Sequence, residues 1–412
     1  MHITHISHSN TRGGAANYVK RIIESNESIG IKNSLLASSV AKSENIFETS
    51  KITQTIFGKL YSKLTQTIDK KMNKLEYRID YRFKSPNQIG ALSAKKINLS
   101  DTDVVHMHWV NGGIISIKQI GKIDKPIVWS MLDMWPFLGA EHYLSIENDR
   151  RYIEGYNKNN RVKGEKGLDI CRLCWSQKIN NFKKINLVAP SKWLADKARS
   201  SLLFKDRHIE IVPPPINTKI FAPRIGLNHS NSYGFGSDDF VIGFIGGISG
   251  RKGWHYINEI IQTSRSNFNW KFLLAGANLN DYPIFNSNVN KLGVIENINE
   301  LTMFYNSIDV LLVLSEQEAY GLAAQEAQTC GTPVIAFYDT GVEDIVKNNE
   351  TGFLIKNKDP RSVYSKLEDL SNASVGFIDN IKVKARQRAV QEWDYSRISL
   401  IYSDIYRAVL SN

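Results

Sequence analysis

Two glutamates, Glu318 and Glu326, lie eight residues apart in a stretch whose residue types suit the binding of a phosphorylated ligand. The stretch opens with an apolar run at 310–314, of the kind that forms buried strands in parallel sheets. After a sharp turn, residues 321–328 are rich in Ala, Leu, Glu and Gln, which favour a helix. Because a helix N-terminus presents free backbone N–H groups, the pattern predicts an anion site beside Glu318. An ordinary βαβ crossover with exposed glutamates is the alternative.

The residues around these glutamates resemble the E-x7-E signature of retaining glycosyltransferases. The order S-x-x-E-A-Y-G-L-x-x-x-E-A-x-x-C-G-T-P-V-I-A, which begins at Ser315, is similar to that of family 4, whose GT-B fold has two Rossmann-like domains facing across a cleft. The resemblance implies that Glu318 is the catalytic clamp on the donor sugar and that Glu326 binds the ribose. It also implies that backbone amides hold the donor diphosphate, those of Ala319, Tyr320, Gly321 and Leu322.

A glycine-rich turn with two cations, IGGISGRKGW at 245–254, is a second element suited to a diphosphate. Flexible glycine backbone can close on the phosphates while Arg251 and Lys252 neutralise them. The common family form is G-R-L-x-x-x-K-G, and Gly247 occupies the position of its Arg. We therefore expect Arg251 to supply the second charge, with solvated surface charge as the alternative.

Three residues in other turns are expected to contact the donor because of the resemblance. Gly14 follows the first predicted strand, 3–7, in a loop that faces the donor phosphates and the acceptor in the family. Gly293 and Val294 end a predicted strand where the family holds the nucleotide base through main-chain contacts.

Acceptor contacts are predicted from the segment VVHMHWVNGG at 104–113. Ligands of open α/β sheets gather outside the carboxyl ends of the strands, which makes His108 and Trp109 candidates. Two histidines at i and i+2 are equally consistent with polar groups in the core.

The segment LDMWPFLGAEHY at 132–143 resembles T-L-H-D-M-W-P-F-T-G-G-C-H-Y, found in family 4 enzymes that build bacterial surface polysaccharides. Leu132 replaces the family His that lies beside the reacting sugar carbon. The match leaves Asp133 or His142 as the catalytic polar group near the acceptor, and places Trp135 on the acceptor side. Asp133 could instead cap the turn after its strand.

Neither a metal nor another cofactor is expected. Cys171 and Cys174 form a lone C-x-x-C, which is half of a tetrahedral zinc site, and Glu141 stands where related sequences have a further Cys. The only other cysteine is Cys330, and so few fit a reducing compartment. With no secretory signal and no apolar run of about 18 residues, the sequence predicts a cytoplasmic protein.

The net charge of +11 is concentrated in the segment 51–84, where nine basic residues stand against three acidic ones. Apolar residues recur there every three or four positions, which predicts a basic amphipathic helix or helix pair. Such a helix would either pack on its own domain with a solvated basic face or present a surface that approaches anionic lipid at the inner face of the plasma membrane. Aromatic-basic interleaving of the nucleic-acid-binding kind is missing, so no nucleic acid partner is expected.

The sequence predicts an α/β protein of two Rossmann-like domains. The acceptor-side domain is 1–210, the nucleotide-sugar domain is 211–390, and a terminal helix at 391–412 crosses back to the first. The predicted function is retaining transfer of a hexose-type sugar from a nucleoside diphosphate sugar to a glycan or polyprenyl-linked acceptor. A nucleotide-sugar epimerase of the same fold and a non-catalytic glycan-binding subunit are the alternatives.

Overall fold

A computed structural model gives the architecture of the chain. It describes residues 1–9, 13–39, 48–51, 56–77, 83–144, 149–224, 232–264, 269–279 and 288–411. The chain forms two compact units, the first made of Met1–Pro215 with Tyr395–Asn412 and the second of Ile216–Asp394. The first unit thus ends at Pro215, where the sequence suggested 210, and its C-terminal segment begins at Tyr395, where the sequence suggested 391.

The first unit is built on a parallel sheet of seven strands in the order β3-β2-β1-β5-β6-β8-β9. A separate antiparallel pair joins β4 to β7. The strands are β1 His2–Ser9, β2 Lys32–Ser39, β3 Glu48–Lys51, β4 Glu76–Tyr77, β5 Val104–Met107, β6 Ile127–Ser130, β7 Lys166–Gly167, β8 Ile185–Ala189 and β9 Ile209–Ile211. β5 and β6 are buried along their whole length, as expected of parallel strands covered on both faces.

Helices accompany these strands. They are α1 Gly14–Glu27, α2 Ile56–Met72, α3 Ala94–Asn98, α4 Ile117–Ile120, α5 Arg151–Glu154, α6 Ile170–Asn181 and α7 Lys192–Ser200. α7 begins after Ser191, whose side chain accepts a hydrogen bond from the backbone N–H of Leu194 and so satisfies a donor left free at the helix start.

The basic segment 51–84 forms one α-helix, α2, followed by a 3₁₀ turn at Asn73–Leu75, within its described part. Its residues 52–55 and 78–82 lie outside the described residues. The face of α2 that is buried is not the apolar one: Thr65 and Asp69 are buried, whereas Leu64 and Ile68 are 53% and 37% exposed. α2 therefore packs on its own unit through these polar residues, with Lys63 and Lys71 exposed, rather than through Leu64 and Ile68.

The second unit has a parallel six-stranded sheet in the order β12-β11-β10-β13-β14-β15. The strands are β10 Phe240–Ile245, β11 Trp270–Ala275, β12 Val289–Lys291, β13 Val310–Val313, β14 Val334–Phe337 and β15 Gly352–Ile355. The helices are α8 Trp254–Thr263, α9 Ile298–Asn306, α10 Leu322–Thr329, α11 Pro360–Ser371 and α12 Val375–Trp393. Apolar cores of buried residues cover both faces of this sheet.

The last helix, α13 Tyr395–Ser411, belongs to the first unit and packs against α1. The hydroxyls of Tyr18 and Tyr402 are 3.0 Å apart, and Tyr406 lies 2.7 Å from Nδ1 of His106 on β5. In the described part of the chain, no helix combines the length and the apolar character needed to span a membrane.

Candidate functional site

A glycine-rich turn between β10 and α8 positions Arg251 and Lys252, the two cations predicted to neutralise a diphosphate. Gly253 caps α8 with a φ of 71°, and a Cβ there would lie 1.8 Å from the carbonyl oxygen of Leu314. Only glycine fits so close an approach. The turn therefore lies directly against the end of β13, and Arg251 and Lys252 stand next to the loop that carries Glu318.

The carboxylate of Glu318 is held by both cations. Lys252 Nζ forms a hydrogen-bonded ion pair with Glu318 Oε2, and Arg251 lies 3.7 Å from the same oxygen. Ser315 Oγ donates to it at 3.3 Å. Burial alone would raise the pKa of Glu318, but Lys252 and Arg251 outweigh it and hold the pKa below its ordinary value. Glu318 is therefore an anion at neutral pH.

Glu316 braces the same loop from its other side. Its carboxylate accepts a hydrogen bond from the Tyr256 hydroxyl on α8 and lies 3.4 Å from Lys358 Nζ. Its backbone N–H donates to the carbonyl of Arg251 at 2.8 Å, and Arg251 Nη1 donates to the carbonyl of Gln317 at 2.9 Å. The cationic turn and the glutamate loop are thus fixed to each other by backbone and side-chain bonds.

α10 begins directly after the glutamate loop. Gly321 is its N-cap with a φ of 108°, and Leu322 is its first residue, so the chain turns sharply at the position predicted for the anion site. Ala319 and Tyr320 are buried, and the Gly341 backbone N–H donates to the Glu318 carbonyl at 2.7 Å. The N-terminus of α10 and the side chains of Arg251 and Lys252 thus lie beside the same loop, the one that carries Glu318. Helix-terminal amides together with two cations suit binding of a diphosphate.

Four further residues are predicted to contact the donor: Glu326, Gly293, Val294 and Gly14. Glu326 is buried on α10, and Tyr305 donates to its carboxylate at 2.6 Å. Gly293 accepts a hydrogen bond from the Gly276 N–H at 2.5 Å, and Val294 beside it is 57% exposed. In the first unit, Gly14 is the exposed first residue of α1.

A polar network at the carboxyl ends of β5 and β6 links the predicted catalytic residues of the first unit. His142 Nδ1 lies 2.6 Å from Asp133 Oδ2, and His142 Nε2 lies 2.9 Å from Ser85 Oγ. Asp133 also accepts hydrogen bonds from Trp109 Nε1 at 2.9 Å and from the backbone N–H of Trp135 at 2.9 Å. Asp133 therefore caps the turn, as the alternative had it, and also orients the ring of His142.

Two of the residues predicted on the acceptor side lie in the core. Trp135 is fully buried, and its indole donates to the carbonyl of Ser85. Lys178 Nζ lies 3.6 Å from the centre of the same ring. His108 is also buried, and its Nε2 lies 2.9 Å from Nδ1 of His5. Both side chains therefore lie in the core, which is the alternative that the sequence left open for His108.

Leu132, which stands in place of the family His, packs against the apolar cluster that contains Ile3, Tyr18 and Tyr402. The side chain therefore joins the core between the sheet and the helices. At this position an apolar side chain that packs in the core stands where the family has a polar one.

Metal-ligand side chains converge in two places within the described residues, His5, His106 and His108 at one and Glu76, Asp169 and Cys171 at the other. In the first group, His106 nitrogens lie 2.7 Å from Tyr406 and 2.8 Å from Ser130, so they are committed to hydrogen bonds. In the second, Lys84 and Arg151 already pair with the carboxylates. Cys174, the second cysteine of the C-x-x-C pair, lies outside both groups. Burial raises its pKa to about 12, which disfavours the thiolate that a metal needs.

Phe83 is a site residue that the sequence did not indicate. It stacks on His142 and Trp109, which come from distant parts of the chain. The same holds for Ser85 and Tyr256, whose positions depend on contacts between elements. A serine or tyrosine with no motif around it carries no signal of its own.

The family model described as "Glycosyl transferases group 1" matches residues 227–388. The chain is 29% identical over 227 residues to the capsular polysaccharide biosynthesis glycosyltransferase CapM of Staphylococcus aureus, which is 52% of this chain and 59% of that protein. It is 26% identical over 216 residues to a D-inositol 3-phosphate glycosyltransferase of Paenarthrobacter aurescens, 49% of this chain and 52% of that one. The alignments thus span little more than half the length of these relatives.

Solved structures match the fold over nearly the whole chain. Sucrose-phosphate synthase from Thermosynechococcus elongatus has a TM-score of 0.68 at 16% identity, covering 100% of this chain and 99% of that one. Anabaena HepE in complex with UDP-glucose has a TM-score of 0.64 at 14% identity, covering 99% and 100%. The predicted α/β class, with two Rossmann-like domains of the GT-B type, is confirmed.

Proposed function

We propose that this family-4-like chain of GT-B fold is a retaining glycosyltransferase that moves a hexose-type sugar from a nucleoside diphosphate sugar to an acceptor hydroxyl. The observation that carries the proposal is the convergence of Lys252, Arg251 and Glu318 beside the N-terminus of α10. Two cations and helix-terminal amides suit a diphosphate, and a carboxylate next to them suits sugar hydroxyls.

In the proposed reaction, the bond between the anomeric carbon and the diphosphate oxygen breaks, and a bond to the acceptor oxygen forms on the same face. The proton of the acceptor hydroxyl leaves with the nucleoside diphosphate. Lys252, Arg251 and the amides at 319–322 stabilise the charge that develops on the diphosphate, so no bound metal or cofactor is required. Glu318, an anion at neutral pH, stabilises the cationic sugar carbon and holds the donor hydroxyls.

The acceptor is proposed to be a lipid-linked intermediate of a surface polysaccharide. The relative CapM is a capsular polysaccharide biosynthesis glycosyltransferase, which supports this class of product. The exposed apolar residues Leu64 and Ile68 on α2, together with exposed Lys63 and Lys71, support peripheral docking to an anionic membrane. We place the enzyme in the cytoplasm at the inner face of that membrane, where docking would bring it to a lipid-linked acceptor.

The test is incubation of the purified protein with a panel of nucleotide sugars, first in a thermal-shift assay. A true donor stabilises the protein in proportion to the logarithm of its concentration. Chromatography then measures release of nucleoside diphosphate, and NMR of the product assigns the anomeric configuration. An inverted anomer in the product of transfer or hydrolysis contradicts retention, conversion of one sugar nucleotide into another identifies an epimerase, and binding with neither transfer nor hydrolysis identifies a non-catalytic subunit.

A further inference from the structure

A backbone pairing fixes Phe83 opposite His142. Lys84 and Glu141 form an isolated antiparallel bridge, and the Ser85 N–H donates to the carbonyl of Ala140 at 2.8 Å. In an antiparallel pair, the residue before one partner faces the residue after the other, so Phe83 and His142 are cross-strand neighbours. Their rings stack with centres 4.9 Å apart and planes 30° apart.

The stack has one buried side and one open side. Phe83 also lies over Trp109, with ring centres 6.2 Å apart and an angle of 18°. On the buried side, Asp133 holds Trp109 and His142 through their ring nitrogens. Phe83 itself is 61% exposed, so its outer face is open to solvent. The spacing between the rings leaves no room for a ligand between them.

Buried ion pairs hold the backbone next to Phe83 in place. Lys84 Nζ lies 2.8 Å from Glu76 Oε2 and 3.6 Å from Glu165 Oε1, and the exposed fractions of the three side chains are 2%, 0% and 3%. Breaking such a pair leaves an uncompensated buried charge, which resists movement of this segment. The backbone next to the exposed Phe83 is thus held in place by these buried ion pairs.

We propose that the outer face of Phe83 binds a pyranose ring of the acceptor. This deepens the proposed function and rests on it. The face of an aromatic ring is electron-rich and attracts the partly positive C–H groups on one face of a sugar. Phe83 also lies at the carboxyl ends of β5 and β6, where ligands of parallel sheets bind, and polar groups there fix the rings that support it.

The test uses saturation-transfer NMR with the methyl glycosides of glucose, galactose, mannose, rhamnose and N-acetylglucosamine. We expect the ring C–H protons of at least one glycoside to receive saturation from the wild-type protein. Phe83→Ala and Phe83→Leu should weaken this binding roughly tenfold, while Phe83→Trp retains it. Phe83→Leu keeps an apolar side chain and so separates aromatic stacking from simple packing. Phe377→Ala changes another exposed phenylalanine, on α12 of the second unit, and serves as the matched control.

Three results would overturn the inference. The first is glycoside binding that Phe83→Leu leaves unchanged, and the second is the absence of any Phe83-dependent glycoside binding across the panel. The third is a loss of binding to anionic phosphatidylglycerol vesicles in Phe83→Ala that exceeds its loss of glycoside binding, which would identify Phe83 as a membrane contact. A thermal shift with UDP and GDP is measured in parallel. Absence of a thermal shift in the wild-type protein counts against the proposed function. Phe83-dependent glycoside binding is a separate measurement and does not depend on that shift.

Discussion

Lys252 Nζ and Glu318 Oε2 form a hydrogen-bonded ion pair. Lys252 is also the cation proposed to meet the donor diphosphate, so the carboxylate and the diphosphate compete for the same ammonium group. The pair is partly buried, with side-chain exposures of 32% and 11%. Arrival of the donor would transfer Lys252 to the phosphates and leave Glu318 available for sugar hydroxyls.

We therefore predict opposite effects of Glu318→Gln on turnover and on product binding. Turnover should fall tenfold or more, equivalent to about 1.4 kcal/mol of transition-state stabilisation. Affinity for the free nucleoside diphosphate should rise roughly threefold, because a competing anion worth about 0.6 kcal/mol is removed. Steady-state kinetics and calorimetric titration measure the two quantities. Wild-type turnover in this variant would show that Glu318 is not in the reaction site.

The cations give a second prediction. Lys252→Ala should weaken binding of nucleoside diphosphate roughly tenfold, since a charge-assisted bond in a partly desolvated turn is lost. Arg251→Ala should weaken it too, and the double variant should lose at least the sum in free energy. Lys347→Ala, at an exposed lysine of the same unit, is the matched control. Equal affinity of Lys252→Ala and the control would remove the turn from the donor site.

Glu326 provides a third prediction about the nucleotide. Glu326→Ala should mainly weaken nucleotide binding, and Tyr305→Phe should have a smaller effect, because it removes only the hydroxyl that donates to this carboxylate. We expect losses of roughly tenfold and threefold in affinity, respectively. Titrations with a nucleoside diphosphate and with inorganic pyrophosphate separate ribose contacts from phosphate contacts. A pyrophosphate affinity that falls as much as the nucleotide affinity would contradict a ribose role.

The sequence predicted the second unit well because its signals are local. The apolar run at 310–314 forms β13, Val310–Val313, and the helix expected over 321–328 is α10, Leu322–Thr329. The position of Glu318 beside the start of α10 also followed from local order, since the two are close in sequence. Short apolar runs between turn residues are sufficient for such elements.

The first unit was harder to predict because its site depends on contacts between distant segments. Nothing in the residues near Phe83 indicates that Lys84 pairs with Glu141. The periodicity of α2 gave a helix but not its orientation, which is fixed by Thr65 donating to the Gly113 carbonyl. His108 at i+2 from His106 fitted a cleft and a core equally, and tertiary packing placed it in the core.

The buried histidines predict how stability changes with acid. Burial lowers the pKa of His5 to about 4 and those of His106 and His108 well below their ordinary value. Below about pH 6.5, the unfolded chain binds more protons than the folded one, so stability falls as pH falls towards 4. The slope is about 1.4 kcal/mol per pH unit for each histidine. In thermal melts at a series of pH values, the melting temperature should fall less steeply with decreasing pH for His106→Gln than for the wild type. His208→Gln changes an exposed histidine and should leave this slope unchanged. Equal slopes for the wild type and His106→Gln would contradict this account.

The final prediction concerns α2, which buries polar residues and exposes apolar ones. Asp69 is buried, while Leu64 and Ile68 face outward with Lys63 nearby in sequence. Exposed apolar side chains beside basic ones suit the surface of an anionic membrane, where each basic residue contributes about 1 kcal/mol. We therefore expect the protein to bind vesicles containing phosphatidylglycerol, with an affinity that decreases as salt rises.

Charge and apolar contact should be separable in co-sedimentation with such vesicles. Changing both Lys63 and Lys71 to Glu should reduce binding at low salt by more than tenfold, since roughly 2 kcal/mol of attraction is replaced by repulsion. Changing Lys95 and Lys96 to Glu on α3 alters the net charge equally and is the matched control. Leu64→Ser with Ile68→Ser should weaken the binding that persists at high salt, where electrostatic attraction is screened. Equal binding to neutral and anionic vesicles, or equal losses in the α2 and α3 variants, would leave α2 as ordinary surface and favour a soluble acceptor.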